Sequence, residues 1–434
     1  MKNLFVVGLE PFNRELLEAL PGATGYRFHP LLEYPRVTQL PAAFRRFDDM
    51  LARARATLSG FAGAVDGIIG YWDFPTTALV PLLCREFGLP FATPEAVARC
   101  EHKYWSRRLQ SEVVPDLVPG FQAIDPFATD PLADLALAFP LWIKPVKAHS
   151  SFLGFRVHDR DELAAALGVV RTHIDRIGEP FNEFMQHIDA PAGIAAIDGH
   201  HCIAEEIISR GRQCTLEGCV IDGETRVHGA VDSIRSGRHR SCFARYQYPS
   251  GLPRRVRARM TDATARVMRH IGYDGAAFNI EFYWDPRTDD VRLLEINARV
   301  SKSHSPLFEL VDGVSNQHVP VELVLGREPA MPQRAGPCRL AAKFMLRAHE
   351  DAVVERSPSE ADIRALRARY PEARVRVLAP AGTRLGHLVF QDSYSFCIGE
   401  IFLGGDSQRE LLAKGREAER ILGFHIRQAN ADAA

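Results

Sequence analysis

Short apolar runs alternate with amphipathic stretches in the first part of the chain. Residues 4–8 form an apolar run that predicts a buried strand, and residues 14–20 have a helical pattern. A second apolar run, residues 67–70, precedes a helical stretch at residues 76–87. Strands that alternate with helices predict a small, Rossmann-like parallel α/β sheet over residues 1–95. The glycine pattern G-x-G-x-x-G does not follow the first strand, so a dinucleotide site is not favoured there.

A block of mixed pattern follows, with long helical stretches and short strands. Residues 94–110 predict a helix around Lys103, and the apolar run 139–146 predicts a buried strand that carries Lys144. The sequence therefore predicts that Lys103 lies on a helix and Lys144 on a strand. The other elements predicted for this block are strands at residues 193–197, 202–209, 213–221 and 224–233 and a helix that ends at residue 270.

Two acidic strands close this block. Residues 278–297 alternate in side-chain character on both sides of a short polar turn, which predicts a β-hairpin. Antiparallel pairing places Glu281 close to Glu295, and alternation puts Leu293 and Asn297 on the same face as Glu295. Two carboxylates at that range resist desolvation unless a cation lies between them. With an amide oxygen and no His or Cys, this ligand set favours a hard cation such as Mg²⁺; the alternative is a solvated strand face.

Lys144 ends an apolar strand, so its ammonium needs an anion if it is buried. The small polar loop that follows offers the hydroxyls of Ser150 and Ser151 and backbone N–H groups, which together can surround phosphate oxygens. A phosphate is therefore the natural candidate. The alternative is a lysine whose head reaches solvent, and Lys103 has the same two interpretations.

Composition narrows the class of protein. The chain of 434 residues is too long for one ordinary core, and its 46% hydrophobic and 25% charged residues are typical of a soluble globular protein. A formal net charge of -1 gives no support for a nucleic-acid or membrane partner. Eight cysteines without a Cys-x-x-Cys pair favour reduced thiols in a cytoplasm over a zinc site or a disulfide framework. The first apolar run is too short for a signal peptide, and no run reaches membrane-spanning length.

Taken in order, these motifs resemble the ATP-grasp superfamily. The two lysines, the Ser-containing loop, the acidic strand at residues 204–208 and the pair formed by Glu281 and the Glu-Ile-Asn-Ala-Arg run at residues 295–299 occur in that family's order. The similarity is closest to the amino acid ligase and biotin carboxylase branch. The resemblance implies an α/β fold of three domains: an N-terminal pre-ATP-grasp α/β domain (1–95), a two-lobed ATP-grasp domain (96–327) and a C-terminal α/β cap (338–425), after a proline-rich linker.

The resemblance also implies roles for the matching residues. The lysines and loop serines would hold ATP phosphates, the backbone of residues 205–208 would read adenine, and Gln213 could hydrogen-bond a ribose hydroxyl. Carboxylate and amide oxygens would bind two Mg²⁺ (or Mn²⁺) ions, while Arg299 would face a carboxylate or an acyl phosphate; its alternative role is a structural pair with Glu295. The complete set is Lys103, Lys144, Ser150, Ser151, Glu205, Glu206, Ile207, Ile208 and Gln213 for the nucleotide, Glu281, Glu295 and Asn297 for the metal, and Arg299 for catalysis.

The reaction that this resemblance implies is ATP-dependent joining of a carboxylate to an amine, with amino acids as the first substrates to consider. Carboxylation by a biotin-carboxylase-like or purine-type route is the rival within enzymes, and a nucleotide sensor without catalysis is the rival from another class. The intact set of Glu281, Glu295 and Asn297 argues against a sensor, which needs no second metal ligand. The sequence leaves the oligomeric state open, a homodimer included.

A basic stretch at residues 235–259 has two interpretations. It contains several arginines, Arg235 and Arg245 among them, but it is short and belongs to a neutral protein. A pocket for an anionic small substrate is therefore favoured over a nucleic-acid surface.

Overall fold

The protein is described by a computed structural model, which covers residues 1–40, 46–149, 152–236, 242–389, 391 and 394–428. The chain divides into two compact units. The first unit comprises Met1–Gly229, Leu252–Lys302 and Gln317–Ala330, and the second comprises Ala230–Gly251, Ser303–Asn316 and Met331–Ala434. Within the described residues, no helix is both long enough and apolar enough to cross a membrane.

The chain begins with a small parallel sheet, as the alternating pattern predicted. Its strands lie in the order β2-β1-β3, and both outer strands run parallel to β1. The central strand is buried from Leu4 to Val7, which is why it reads as a continuous apolar run rather than an alternating one. The elements are β1 (Lys2–Val7), α1 (Pro11–Glu18), β2 (Tyr26–Leu31), α2 (Tyr34–Gln39), α3 (Phe47–Ser59), β3 (Gly67–Ile69) and α4 (Thr76–Glu86).

An antiparallel four-stranded sheet follows in the first unit. Its order is β4-β7-β5-β6, and Leu141 and Ile143 on one face of β5 pack in a core with Leu163, Leu167 and other apolar residues. The opposite face of the sheet is thereby left for polar side chains. The elements are α5 (Pro94–Glu101), α6 (Lys103–Val113), β4 (Phe121–Ile124), β5 (Leu141–Pro145), β6 (Phe155–Val157), α7 (Arg160–His173), α8 (Asp175–Met185), α9 (Ala192–Ala195) and β7 (Cys202–Glu206).

Two predictions for this region are wrong. The strand predicted at residues 193–197 is the short helix α9, which has Pro191 as its N-cap. The prediction failed because so short a segment has too few apolar residues to distinguish the period of a helix from that of a strand. The single helix predicted at residues 94–110 is two helices that meet at His102. The extended backbone of His102 ends the first helix, and its Nδ1 accepts a hydrogen bond from the backbone N–H of Trp105 to cap the second.

The acidic hairpin lies on the next group of elements, where β11 pairs with both β8 and β12 in the first unit. The C-terminal part of β9 belongs to the second unit and pairs with β10. The elements are β8 (Arg212–Ile221), β9 (Glu224–Ser236), β10 (Cys242–Tyr248), α10 (Arg254–Ile271), β11 (Ala276–Asp285), β12 (Asp290–Asn297), α11 (Ser305–Asp312) and α12 (His318–Val324).

The rest of the second unit is an antiparallel sheet with helices packed against it. Its strands follow the order β9-β10-β13-β16-β15, and β14 pairs separately with β17. Ala342, Leu403 and Leu411 are fully buried in its core. The elements are β13 (Leu340–Ala348), β14 (Ala352–Arg356), α13 (Glu360–Arg369), β15 (Arg374–Val377), β16 (Phe396–Gly405), α14 (Gln408–Leu422) and β17 (His425–Gln428).

Candidate active site

The predicted hairpin is present, and its register brings two carboxylates together. Glu281 on β11 pairs directly with Glu295 on β12, and Asn279 pairs with Asn297. The register then shifts between Glu281 and Phe282. The predicted opposition of the two glutamates is therefore confirmed.

The register shift corrects the predicted position of Leu293. Past the bulge, Leu293 pairs with Phe282, and both side chains are fully buried. Simple alternation had put Leu293 on the same face as Glu295, but the extra residue of a bulge breaks the two-residue period. Arg107 holds the bulge, because its guanidinium donates to the carbonyl oxygens of Leu293 at 2.9 Å and Leu294 at 2.7 Å.

The partly exposed Glu295 forms an ion pair with the buried Lys103. The Nζ of Lys103 lies 2.7 Å from Glu295 Oε1, and it also donates to the carbonyl oxygen of Ala148 at 2.8 Å. Burial alone would raise the pKa of Glu295, but Lys103 and then Lys144 lower it below its usual value. Burial would lower the pKa of Lys103, and Glu295 raises it instead. Both groups are therefore charged at neutral pH.

Lys144 has its anion within the protein, on the neighbouring strand. Trp142 and Lys144 on β5 pair with Glu205 and Ile203 on β7, so Lys144 and Glu205 are diagonal neighbours on the polar face of the sheet. The Nζ of Lys144 lies 2.8 Å from Glu205 Oε2, and Arg107 Nε donates to Glu205 Oε1 at 2.7 Å. Burial would raise the pKa of Glu205, yet Arg107 and Lys144 lower it to about 2.

The other predicted nucleotide residues lie at the end of β7 and beyond. Glu206 ends the strand: its backbone N–H donates to the Gly120 carbonyl oxygen at 2.9 Å, and its carboxylate accepts from the Gly120 N–H at 2.9 Å. Ile207 and Ile208 follow in an irregular, half-buried segment. The structure leaves their predicted adenine contact as a prediction. Ser150 and Ser151 lie outside the described residues.

Gln213 is directed at the acidic hairpin. Its Nε2 donates to Glu281 Oε2 at 2.5 Å, and its Oε1 accepts from the hydroxyl of Tyr283 at 2.9 Å. The side chains of Gln213, Glu281 and Tyr283 lie on one face of the sheet, because Tyr283 pairs with Gln213 across β11 and β8 and Glu281 is two residues from Tyr283. The carboxamide is thus engaged at both ends by the metal-site strand, and its predicted ribose contact stays a prediction.

The third predicted metal residue has its amide oriented by its neighbour. Asn297 Nδ2 donates to Asn279 Oδ1 at 2.9 Å, while Asn279 Nδ2 donates to the carbonyl oxygen of Arg299 at 2.9 Å. These two hydrogen bonds show that Asn297 contacts Asn279 through its side-chain nitrogen. The carboxamide oxygen of Asn297 takes no part in that contact. Carboxylate and amide oxygens are ligands that suit Mg²⁺ or Mn²⁺, and the metal role of Glu281, Glu295 and Asn297 stays a prediction.

Arg299 forms its ion pair with an aspartate that the sequence had not singled out. Its guanidinium donates to Asp73, which lies just after β3 in the N-terminal sheet. The alternative pair with Glu295 is absent from the ion pairs of the described residues, where Glu295 is bound to Lys103. The position of Asp73 in the sequence does indicate a functional role, because it follows the carboxyl end of β3. Open α/β sheets bind their ligands beside the carboxyl ends of parallel strands.

A further buried lysine in the same region was also missed. Lys147, just after β5, forms an ion pair with Glu101 at the end of α5, and Thr77 donates to the same Glu101 oxygen at 3.0 Å. All three side chains are buried. The sequence offers no signal for Lys147, because a single lysine in a polar loop has no periodic pattern.

Several of these residues line one narrow cleft in the first unit. Two lysines and an arginine face two glutamates there, so the wall is charged but nearly compensated. The lining residues are Cys100, Lys103, Ser106, Arg107, Gln110, Lys144, Glu205, Leu294, Glu295 and Ile296.

Residues 235–236 and 242–251 of the basic stretch lie in the second unit, whereas residues 252–259 belong to the first. Arg235 on β9 stacks over the ring of Phe243 on β10, with its guanidinium carbon 3.9 Å from the ring centre. Arg245 lies over Phe344, 5.8 Å from the ring centre, and burial lowers its pKa. These arginines therefore pack against aromatic rings of the sheet.

Comparison with known proteins agrees with the predicted fold. A family model described as the ATP-binding domain of the carbamoyl-phosphate synthase L chain matches residues 246–328. The crystal structure of L-amino acid ligase from Bacillus licheniformis is similar with a TM-score of 0.73 at 18% identity, over 99% of each chain. Biotin carboxylase from Campylobacter jejuni is similar with a TM-score of 0.62 at 14% identity, over 98% of this chain and 92% of its own.

A curated relative adds a likeness in sequence. Human carnosine synthase 1 is 25% identical over 360 residues, which cover 77% of this chain. The chain spans about half the length of the curated relatives it matches, 52% of one and 41% of carnosine synthase 1. At these identities the solved structures show a shared fold, and the fold class predicted from the sequence is confirmed.

Proposed function

We propose that the chain is a member of the ATP-grasp superfamily and that it acts as an ATP-dependent carboxylate-amine ligase. The observation that carries this proposal is the charged cleft in which Lys103 and Lys144 face Glu205 and Glu295. Phosphoryl transfer needs little covalent chemistry from a protein but much positive charge around the moving oxygens. Two buried lysines beside a carboxylate pair meet that need.

The proposed nucleotide and metal roles follow from charge. Lys103 and Lys144 would bind ATP phosphates, and oxygens of Glu281, Glu295 and Asn297 would hold Mg²⁺. The metal, when bound, would neutralise charge on the phosphates. Because each lysine already has a carboxylate partner, both ammonium groups are held in place before the nucleotide arrives.

The proposed reaction has two steps. A carboxylate oxygen attacks the terminal phosphorus of ATP, the bond to the bridging oxygen breaks, and ADP leaves with an acyl phosphate formed. The amine nitrogen then attacks the acyl carbon, loses a proton, and releases phosphate as the amide forms. Arg299 would stabilise negative charge that develops on the acyl oxygens, because its Nε has no hydrogen-bond partner among the described residues.

Amino acids are the substrates that we propose to test first. Similarity to an L-amino acid ligase over the whole chain and to carnosine synthase 1 over most of it supports this choice. Similarity to biotin carboxylase keeps carboxylation as the rival reaction. We also propose a reducing, cytoplasmic location, since the described cysteines are not joined in disulfides.

Trapping with hydroxylamine tests the proposal. With ATP, Mg²⁺ and a panel of proteinogenic amino acids, hydroxylamine should intercept the acyl phosphate and give a hydroxamate together with ADP. R299A should depress hydroxamate formation with ATP saturating, because Arg299 acts on the acyl group rather than on the nucleotide. ADP release driven by bicarbonate alone, without any hydroxamate, would replace the ligase with a carboxylase. ATP binding without ADP release under either condition would favour a sensor.

A further inference from the structure

Three successive residues after β3 each contact a different cation of the first unit. The ring of Trp72 lies under Lys302, whose Nζ is 4.2 Å from the ring centre. Asp73 forms the ion pair with Arg299, and the ring of Phe74 lies 5.9 Å from the Nζ of Lys147. Aromatic faces and carboxylates both attract cations, so each of the three contacts is attractive and holds one cation near the segment.

This segment is itself held firmly in place. The indole Nε1 of Trp72 donates to the carbonyl oxygen of Gly8 at 2.9 Å, and the carbonyl oxygen of Asp73 accepts from the N–H of Thr76 at 2.9 Å. Phe74 is almost fully buried and packs 5.6 Å, between ring centres, from Phe181. A segment anchored at both ends can fix the positions of the groups that it contacts.

The ion pair at its centre is charged on both sides. Burial would raise the pKa of Asp73, but Arg299 keeps it well below its usual range. The terminal nitrogens of Arg299 are bound by Asp73 and by the carbonyl oxygen of Val300, whereas its Nε has no partner among the described residues. The ion pair thus leaves the Nε–H of Arg299 for a further acceptor.

We infer that residues 72–74 form a positioning segment for the cations of the ligase site, with Asp73 as the positioning residue for Arg299. This inference rests on the proposed function. It gives the N-terminal sheet a catalytic task that does not involve binding a dinucleotide. Asp73 acts through Arg299, since its own carboxylate is held by that guanidinium and its pKa is too low for a general base at neutral pH.

The experiment compares D73N with a matched control and with a double variant. D73N should lower hydroxamate formation about 100-fold, because a misplaced catalytic group costs that order of rate. Its Kd for ATP should be unchanged. D66N is the control, since Asp66 forms an ion pair with Lys2 at the start of the same sheet, away from Arg299; D66N should keep the wild-type rate.

The double variant D73N/R299A separates positioning from a direct role. If Asp73 acts only through Arg299, D73N should slow R299A no further. D73N/R299A should also melt at a higher temperature than R299A, because it no longer leaves a partly buried carboxylate without its guanidinium partner. If D73N itself folds poorly, this comparison in the R299A background still decides the question.

The outcomes distinguish this inference from the function beneath it. A wild-type protein that gives no hydroxamate with any carboxylate overturns the proposed function and the inference with it. Wild-type hydroxamate with an unimpaired D73N overturns the inference alone. A further loss of rate on adding D73N to R299A would also overturn it, because Asp73 would then act independently of Arg299.

Discussion

Each buried lysine of the candidate site has its own carboxylate. Lys103 is bound to Glu295, Lys144 to Glu205 and Lys147 to Glu101. An unpaired ammonium in such surroundings would lose its proton or destabilise the fold, so the pairs make a strongly charged site compatible with burial. The sequence predicted that Lys144 needs an anion; it could not predict that a neighbouring strand supplies one, because the partner depends on register.

The glutamate at the centre of the hairpin is the first residue to test. E295Q keeps the shape of the side chain but removes the charge that would hold Mg²⁺ and that now balances Lys103. ADP formation should fall by about 100-fold or more. D290N, at the exposed far end of the same hairpin, should keep the wild-type rate. Equal turnover by E295Q across a Mg²⁺ titration would contradict the metal assignment.

The buried carboxylate of Glu205 should make stability depend on acid. Its pKa of about 2 lies below the usual 4.5, so its contribution is complete above the usual value and is lost as pH falls through the lower one. That contribution is on the order of 3 kcal/mol. Urea unfolding should show E205Q well below wild type at neutral pH, with the gap shrinking toward about pH 3.

A control separates this effect from the general loss of a carboxylate. E224Q changes an exposed glutamate at the start of β9 and should stay within about 0.5 kcal/mol of wild type. A gap between E205Q and wild type that stays constant with pH would show that the Glu205 carboxylate has no lowered pKa in the folded state.

The sequence predicted the site residues that interrupt a periodic apolar strand, and it did not predict those that lie in short turns or loops. Glu281 and Glu295 stand out because charged residues interrupt two apolar strands. Asp73 belongs to a short turn, and its partner Arg299 lies 226 positions away in the sequence. A contact of that separation depends on the folded topology, and nothing in the local sequence around Asp73 specifies it.

At the scale of elements, periodicity predicted long segments well and failed on short or irregular ones. The hairpin and α10 have unambiguous periods and were found. The four-residue helix α9 is too short to show a helical period, so its apolar residues read as a strand. The bulge in the hairpin was missed for another reason: its carbonyls are fixed by Arg107 on α6, a tertiary contact.

Arg107 should therefore be a stabilising residue of the hairpin. Its guanidinium donates to Glu205, to Gln110 Oε1 and to the carbonyl oxygens of Leu293 and Leu294. Lysine has a single nitrogen in its side chain and cannot donate to acceptors spread around a planar guanidinium. R107K should lower the free energy of unfolding by about 3 kcal/mol, as for a broken buried pair. R108K changes the exposed neighbour and should have little effect. Equal urea midpoints for the two variants would contradict this role.

At the scale of the whole molecule, the order of motifs identified the fold although each motif alone was ambiguous. Either lysine taken singly could have been an ordinary surface or strand-end residue. Their order, ahead of an acidic strand and a Glu-x-Asn-x-Arg run, is what matched a known superfamily. Substrate identity was beyond this reasoning, because pocket shape depends on loops rather than on the elements that define a fold. The three-domain division at residues 1–95, 96–327 and 338–425 stays a prediction.

Binding of nucleotide should appear as stability of the whole protein. A ligand that binds only the folded state, present at 100 times its Kd, adds about 2.7 kcal/mol to the free energy of unfolding. Thermal unfolding with MgATP should therefore show a higher Tm than without it, and K144M should lose most of that increase because the phosphate contact is gone. K414M is the matched control: Lys414 is also a partly buried, ion-paired lysine, but its partners Glu372 and Glu410 lie in the second unit, outside the proposed site. K414M should lower the starting Tm yet keep the full MgATP increase. An undiminished increase in K144M would assign Lys144 to structure alone, as the partner of Glu205.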